Sequence, residues 1–273
     1  GSHIRNLLGG IRDDEKVISI LPMERSLIEN PEGHFLMFAT ANGRIKKSRL
    51  SEYSRINRNG KFALKFADGD SDNLVSVRPA TNADHVVLVS ASGNACRFMP
   101  AEEKTRISTE SGESVTTYVV RVQGRISQGV SGMKLSGNDK VIGMIVTDDF
   151  DTSVLTISKY GMAKRSRLGS GEMLPLTEGG EPIVDETGDQ VFERDGYRKT
   201  NRGTKGVRTM SLRDGDEIVS VRQIPDLDDQ LFMLTGSGMM IRMVSGQTKE
   251  TLGKVTKGTR IKELRNRNRT GYE

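Results

Sequence analysis

The side chains with the most to offer chemically are lysines and arginines, and they recur at a fixed distance from glycine. Lys47, Arg97, Arg165 and Arg242 each lie four residues beyond a glycine, at Gly43, Gly93, Gly161 and Gly238. Around them the charge gathers. Residues 44–61 carry seven basic side chains (Arg44, Lys46, Lys47, Arg49, Arg55, Arg58 and Lys61) against one acid, Glu52. Residues 197–208 carry five (Arg198, Lys199, Arg202, Lys205 and Arg208) and no acid. Residues 242–269 carry nine, among them Arg242, Lys254, Lys257 and Arg260, against Glu250 and Glu263. Lys164, Arg165 and Arg167 form a smaller group after the third glycine. The net charge is only +5, so placement matters more than the total. Cations repeated in register suit a polyanion whose phosphates repeat at a steady spacing. Any one cluster is also what an exposed strand uses to stay solvated and to blunt a sheet edge.

Catalytic constellations do not emerge. Apart from His3 the histidines are His34 and His85, each beside a strand-like run and without a cysteine partner, so the spacing of a zinc site is missing. The nearest approach to a Walker loop, Gly246 to Gly253-Lys254, has six intervening residues and ends in Val255 where Ser or Thr is needed. Asp148, Asp149 and Asp151, or Asp226, Asp228 and Asp229, have the chemistry to ligate a divalent cation, but they fall in links where Asp-rich turns are expected anyway. The residues therefore predict no catalytic group, no metal and no cofactor. Stacking platforms are missing too: there is no tryptophan, and the eight phenylalanines mostly lie inside apolar runs. A single-strand binder needs exposed aromatics, so the sequence favours a duplex read through its backbone charge and bendability.

The elements that must position these cations are short strands. Each first glycine is preceded by an apolar run: Phe35 to Thr40, Val86 to Val89, Val154 to Ile157 and Leu231 to Leu234. A second cassette follows each, with glycine six residues before a large apolar residue: Gly60 to Phe66, Gly129 to Leu135, Gly206 to Leu212 and Gly258 to Leu264. In three repeats an Asp-rich turn comes next (Asp68-Gly69-Asp70, Gly137-Asn138-Asp139, Asp214-Gly215-Asp216), then another apolar strand. Spacing is fixed within cassettes and free between them, 17, 36, 45 and 20 residues from glycine to glycine, so insertions fall in loops. Such self-similarity predicts an all-β array of four-stranded units, with repeats at about 21–80, 81–147, 148–225 and 226–273 in one domain over 4–273. Aligned basic clusters would then form a stripe. Residues 177–195, inside the longest insertion, hold seven acids and only Arg194, and read as a solvated loop or as a strip that competes with phosphate.

Gly9 to Ile20 aligns position by position with Met210 to Val221, so 4–20 read as the last strands of a preceding or closing blade. After Leu264 no apolar strand follows. The pattern is that of a fragment of a longer array, or of a ring closed by its own ends. Gly1-Ser2-His3 reads as a cloning remnant. No run of 18 apolar residues is present for a membrane helix, and the lone Cys96 predicts a small buried residue in a reducing compartment.

The stretch Phe38-Ala39-Thr40-Ala41-Asn42-Gly43-Arg44-Ile45-Lys46-Lys47-Ser48-Arg49-Leu50-Ser51-Glu52-Tyr53, followed by Gly60-Lys61 and Asp68-Gly69-Asp70, resembles a repeat of the C-terminal domain of the gyrase A protein of bacterial type IIA topoisomerases. The other repeats carry the same skeleton more loosely, so the resemblance covers nearly the whole chain. It implies a β-pinwheel, a ring or spiral of four-stranded blades in which one strand is exchanged with the neighbouring blade. It also implies bending of duplex DNA around a basic outer rim, in service of strand passage and negative supercoiling. On that resemblance the partners are duplex DNA, the gyrase B protein and the remainder of the gyrase A protein. ATP and Mg2+ act elsewhere in the parent enzyme, and the location is the bacterial cytoplasm, at the nucleoid. The family usually has about six blades where four marked units occur here. Its Gln-Arg-Arg-Gly-Gly-Lys-Gly box is echoed only in part, by Arg202-Gly203-Thr204-Lys205-Gly206. Two alternatives stay open: the tail of topoisomerase IV, and a propeller-type scaffold that docks protein partners.

Overall fold

Every first-cassette glycine closes a tight hairpin. Gly43, Gly93, Gly161 and Gly238 have φ between +76° and +85°, a conformation in which a side chain is strained. Each donates its amide to the carbonyl three residues back, on Thr40, Ser90, Ser158 and Thr235, at 2.9–3.0 Å. The hydroxyl of that same residue accepts the amide one position beyond the glycine, on Arg44, Asn94, Met162 and Met239, at 3.2–3.4 Å. A small hydroxyl residue three positions before each glycine therefore satisfies two turn amides at once.

The computed structural model describes residues 17–55, 60–66, 72–107, 114–248, 250 and 256–261. The chain divides into two units, residues 1–88, 98–148 and 202–204 in one and 89–97, 149–201 and 205–273 in the other. With strands numbered in chain order, the first unit contains a four-stranded sheet in the order β3-β1-β2-β8, made of Phe35–Thr40 (β1), Arg44–Arg49 (β2), Leu74–Ala80 (β3) and Val130–Ser131 (β8). Glu103–Ile107 (β6) and Ser114–Tyr118 (β7) add a hairpin. Met37, Ile45, Leu50, Val86 and Leu88 are at most 2 % exposed and form the centre of its core. The second unit contains a sheet in the order β17-β10-β11-β20, made of Ser153–Ser158 (β10), Met162–Arg167 (β11), Ile218–Ile224 (β17) and Thr259–Arg260 (β20). Its core gathers Leu155, Ala163, Ile224 and Ile261, with Leu231 and Met233 packed against them. The first unit also holds Val141–Thr147 (β9) and most of His85–Ser90 (β4), and in the second Asn94–Phe98 (β5) pairs with Val207–Arg208 (β16).

Three times the strand that pairs beyond the post-glycine strand comes from the following repeat. Ile45 pairs with Val130, Ala95 with Val207, and Ala163 with Thr259. This differs from a unit that keeps its own four strands, and glycine explains how the exchange fits. A Cβ on Gly129 would stand 2.4 Å from the Ile45 carbonyl oxygen, one on Gly206 2.2 Å from that of Ala95, and one on Gly258 2.5 Å from that of Ala163. The second-cassette glycine is thus the point where the exchanged strand lies against the preceding repeat.

The Asp-rich turns cap the glycine hairpins. Asp216 Oδ1 accepts the Tyr160 and Glu217 amides at 3.1 and 3.0 Å, and its Oδ2 accepts the Ser158 hydroxyl at 2.7 Å. In the first repeat the equivalent is Asp72, whose Oδ1 accepts the Asn42 and Asn73 amides at 2.8 Å. Asp68, Gly69 and Asp70 lie outside the described residues. The acidic insertion is a hairpin rather than a loop: Met173–Pro175 (β12) pairs with Phe192–Arg194 (β15), and Thr177–Glu178 (β13) with Glu181–Pro182 (β14). In the fourth repeat the described strands are the hairpin Gln230–Leu234 (β18) and Met240–Val244 (β19) and the exchanged strand β20. At the N-terminus residues 4–16 lie outside the described residues, and Val17, Ile18 and Ile20 are exposed and in no strand.

Gly206→Ala combines a φ of +73° with a Cβ driven into a backbone oxygen and should destabilise by about 2–4 kcal/mol. Gly137→Ala, at φ +57° with nothing within 4 Å, should cost only about 1 kcal/mol. Urea denaturation of the two variants checks this, and equal costs would refute the contact as the closing constraint.

Candidate nucleic-acid interface

The basic side chains separate into internal ties and free surface charges. The cations four beyond glycine are ties wherever a full sheet surrounds them. Lys47, 3 % exposed, donates to Asn82 Oδ1 at 2.8 Å and lies 4.0 Å from the centre of the Phe35 ring. Arg97, fully buried, donates from Nη1 to the Leu168 and Tyr197 carbonyls at 2.8 and 2.9 Å and stacks 5.2 Å from the Phe150 centroid. Arg165 donates to the Thr248 carbonyl at 3.0 Å and the Ser153 hydroxyl at 3.1 Å, and pairs with Glu250 at 3.3 Å. Arg242 is the exception: it is exposed, bonded to Gln230 Oε1 at 2.9 Å beside Phe232.

One position earlier the same logic holds. Lys46, fully buried, donates to the Ala63 and Arg125 carbonyls at 2.6 and 2.5 Å. Lys164, 4 % exposed, donates to the Thr209 carbonyl at 2.5 Å. Tyr197 and Thr209 hydroxyls bond beside it. Burial disfavours the charged form: it pushes Lys46 down to about 8, opposed by the Glu52 carboxylate, and Lys164 likewise to about 8. Burial brings Arg97 down to about 10, against the pull of Asp195 and Glu172. Arg44 ties to the Gln128 and Gly129 carbonyls at 2.9 Å, and Arg202 to those of Val119 and Ser131 at 2.6 and 2.8 Å. Gln128, Gly129, Ser131 and Thr209 sit on or next to exchanged strands, and Asn82, Arg125, Leu168, Tyr197 and Thr248 belong to the repeat after the cation they bind, so the cations staple one repeat to the next. The sequence pattern places Lys46, Lys47, Arg97, Lys164 and Arg165 on a phosphate-facing surface; the structure turns them inward because loop carbonyls, and for Lys47 the Asn82 side chain, take up their donors.

The remaining cations are presented outward. In the first unit Arg49 and Arg55 are exposed and Lys61 half-buried, none with a side-chain hydrogen bond or ion pair among the described residues. In the second unit Arg198, Lys205, Arg208, Lys257 and Arg260 are exposed and equally unpaired among the described residues. Lys199 pairs with Glu172 at 2.7 Å and Arg167 with Asp151 at 2.7 Å. Arg58 and Lys254 lie outside the described residues. Within the partial box, the Thr204 carbonyl accepts the Lys134 amide at 2.8 Å and Gly203 donates to Gly132 at 2.7 Å, so this segment runs beside the first unit's exchanged strand. Arg194 is hidden in the sequence because it stands among acids; pairing with Met173 across the hairpin brings it to the other arginines. Among the described residues no three His, Cys, Asp or Glu side chains gather into a metal-binding group, and no helix is long and apolar enough to cross a membrane.

Four-stranded sheets that each borrow a strand from the following repeat define the β-pinwheel, the strand-exchanged class of propeller. Residues 34–81, 114–148 and 191–225 match the family described as the DNA gyrase C-terminal domain, beta-propeller, and the chain belongs to that family. Among curated proteins it is 29 % identical over 264 residues to the DNA gyrase A protein of Rickettsia prowazekii, covering 89 % of this chain and 27 % of the relative. It is 30 % identical over 243 residues to the DNA gyrase A protein of Escherichia coli, covering 89 % of this chain and 22 % of that protein. The chain thus spans about a quarter of the length of these relatives. Among solved structures the C-terminal domain of DNA topoisomerase IV matches with a TM-score of 0.66 at 19 % identity, covering 93 % of this chain and 65 % of that one. The DNA gyrase A C-terminal domain matches at 0.61 and 18 %, covering 95 % and 70 %.

The lysine ties predict a pH dependence. The unfolded chain holds the Lys164 proton up to its ordinary value of 10.5, whereas the folded chain releases it from about 8. Between these values the unfolded state binds more protons, so stability rises with pH. Relative to Lys164→Met, the parent chain should gain up to about 1 kcal/mol per pH unit from pH 8 to 10. Urea melts at pH 7.5, 9 and 10 read the difference, and a flat difference would refute a buried charged lysine.

Proposed function

We propose that this chain is the DNA-binding and DNA-bending part of a gyrase A protein. The exposed unpaired cations hold the phosphate backbone of duplex DNA without regard to sequence. The observation that carries the reading is the division of the basic side chains. After backbone carbonyls and neighbouring side chains have taken the buried ones, Arg49, Arg55, Arg198, Lys205 and Arg208 are still exposed and without a protein partner among the described residues. Membership in the gyrase C-terminal family supports the same reading. Such contacts give salt-dependent, sequence-tolerant affinity, and engaging several repeats at once requires the duplex to bend, at about 1–6 kcal/mol for a short site. In this role the domain performs no bond-breaking step. It presents DNA to strand passage carried out elsewhere in the gyrase A protein, with the gyrase B protein, ATP and Mg2+, in the bacterial cytoplasm at the nucleoid. A topoisomerase IV tail is the second reading, since the two solved domains fit this fold nearly equally well. The curated relatives, gyrase A proteins by name, favour the first.

Fluorescence anisotropy on labelled duplexes tests it. Arg49→Glu with Arg55→Glu should weaken binding to unrelated sequences by the same factor and reduce the slope of log affinity against log salt by about 1.8, at about 0.9 per phosphate. Lys47→Glu should instead lower the melting temperature, because it reverses a buried charge. End-to-end energy transfer on a doubly labelled duplex should rise on binding. Affinity that ignores salt, or tight binding to a duplex that stays straight, would overturn the proposal.

A further inference from the structure

In the second unit a cleft of about 240 Å³ opens between β11, the segment at 194–198 that leaves the acidic hairpin, and the exchanged strand at 207–209. At roughly 30 Å³ per water, that is room for a phosphate group with several waters. The lining is cationic, with Lys164, Arg167, Arg194, Arg198 and Arg208 all facing it. Three of these are already engaged. Lys164 donates to the Thr209 carbonyl, Arg194 donates to the Gly171 carbonyl at 2.7 Å, and Arg167 pairs with Asp151 at 2.7 Å and approaches Asp195 at 3.7 Å. Those two carboxylates offset the charge of Arg167. Arg198 and Arg208 have no such partner among the described residues.

A second observation points the same way. Ser166 lines the cleft and is 7 % exposed, yet its Oγ, close to the Tyr197 hydroxyl, completes no hydrogen bond. Buried hydroxyls are nearly always satisfied; the acceptor near this one is the Tyr197 hydroxyl, already bonded to Thr209, and the geometry between them is poor, so the Ser166 donor is available to a ligand in the cleft. Two open arginine forks, an ammonium at the floor and an orphan hydroxyl donor together suit an oxyanion. Planar guanidinium groups match phosphate oxygens in pairs.

We propose that this cleft seats one phosphate group, held by Arg198 and Arg208 and by Ser166 Oγ, in the positive potential of Lys164. The phosphate is a phosphodiester of the duplex backbone, an assignment that rests on the proposed function; free phosphate is the other source of the same chemistry.

The test melts the whole chain in potassium phosphate and in potassium chloride at matched ionic strength and pH, beside duplex anisotropy. Phosphate should raise the melting temperature by roughly 3 °C at ten times its Kd. Arg198→Gln with Arg208→Gln should abolish that rise and lower the duplex salt slope by about 0.9, the share of one phosphate. Ser166→Ala should keep the melting temperature in chloride and lose part of the rise in phosphate. If the arginine variant loses the phosphate effect while its duplex affinity and slope are unchanged, the seat takes free phosphate and the backbone assignment falls. No phosphate-specific rise in the parent chain overturns the seat, even if duplex binding persists. Failure to bind duplex at any salt overturns the proposed function instead, and the phosphate arm then judges the cleft alone.

Discussion

Three times in this molecule a backbone carbonyl two residues past a turn glycine meets the Cα of a glycine from the next repeat, at Ile45 and Gly129, Ala95 and Gly206, and Ala163 and Gly258. Every other feature of the blades follows from that approach. The exchanged strand can reach the post-glycine strand only where no side chain stands between them, and its short ladder of two residue pairs is too small to hold by itself. Long cationic side chains complete the attachment. Arg44 and Lys164 reach across to carbonyls beside the exchanged strands, at Gln128, Gly129 and Thr209, and charged donors make the stronger kind of hydrogen bond.

That use of cations has an electrostatic cost. An ammonium withdrawn from water loses solvation, and Lys46 and Lys164 register the loss as proton affinities lowered to about 8. One or two carbonyl dipoles are a weaker partner than a carboxylate, but they leave the net positive charge intact. The protein therefore draws its internal fasteners and its outward positive field from the same residue types, and position relative to glycine decides which a given side chain becomes.

Much of this is legible in the sequence. The glycine turns, the hydrophobic runs before them and the unequal spacing between cassettes locate the hairpins, because a turn glycine with φ near +80° is a local requirement. Strand exchange is not readable from spacing, since a cassette looks the same whichever sheet it joins; only the resemblance points to it. The fate of the cations is likewise hidden. Lys47 and Arg49 stand two apart in one strand and so lie on the same face by simple alternation, yet Lys47 is buried and Arg49 exposed; β1 pairs with both, whereas on the other edge the described pairing runs no further than Lys47, opposite Val122. Asp72 escapes a reading that fixes on Asp68 and Asp70, since a longer turn shifts the capping residue next to its strand. The acidic insertion reads as a loop because its ladder alternates charged and apolar residues on both faces.

Borrowing the outer strand from the following repeat also orders events during synthesis. The strand Arg44–Arg49 waits for Val130, some 80 residues further along the chain. At the pace of bacterial translation, roughly 5–20 residues per second, that is a delay of about 4 to 16 s in which the nascent sheet has an open edge. Ribosomal output therefore completes each blade only after its successor has largely emerged. During that interval the edge strand left uncovered is one rich in lysine and arginine, Arg44-Ile45-Lys46-Lys47-Ser48-Arg49, whose mutual repulsion discourages two nascent chains from pairing there.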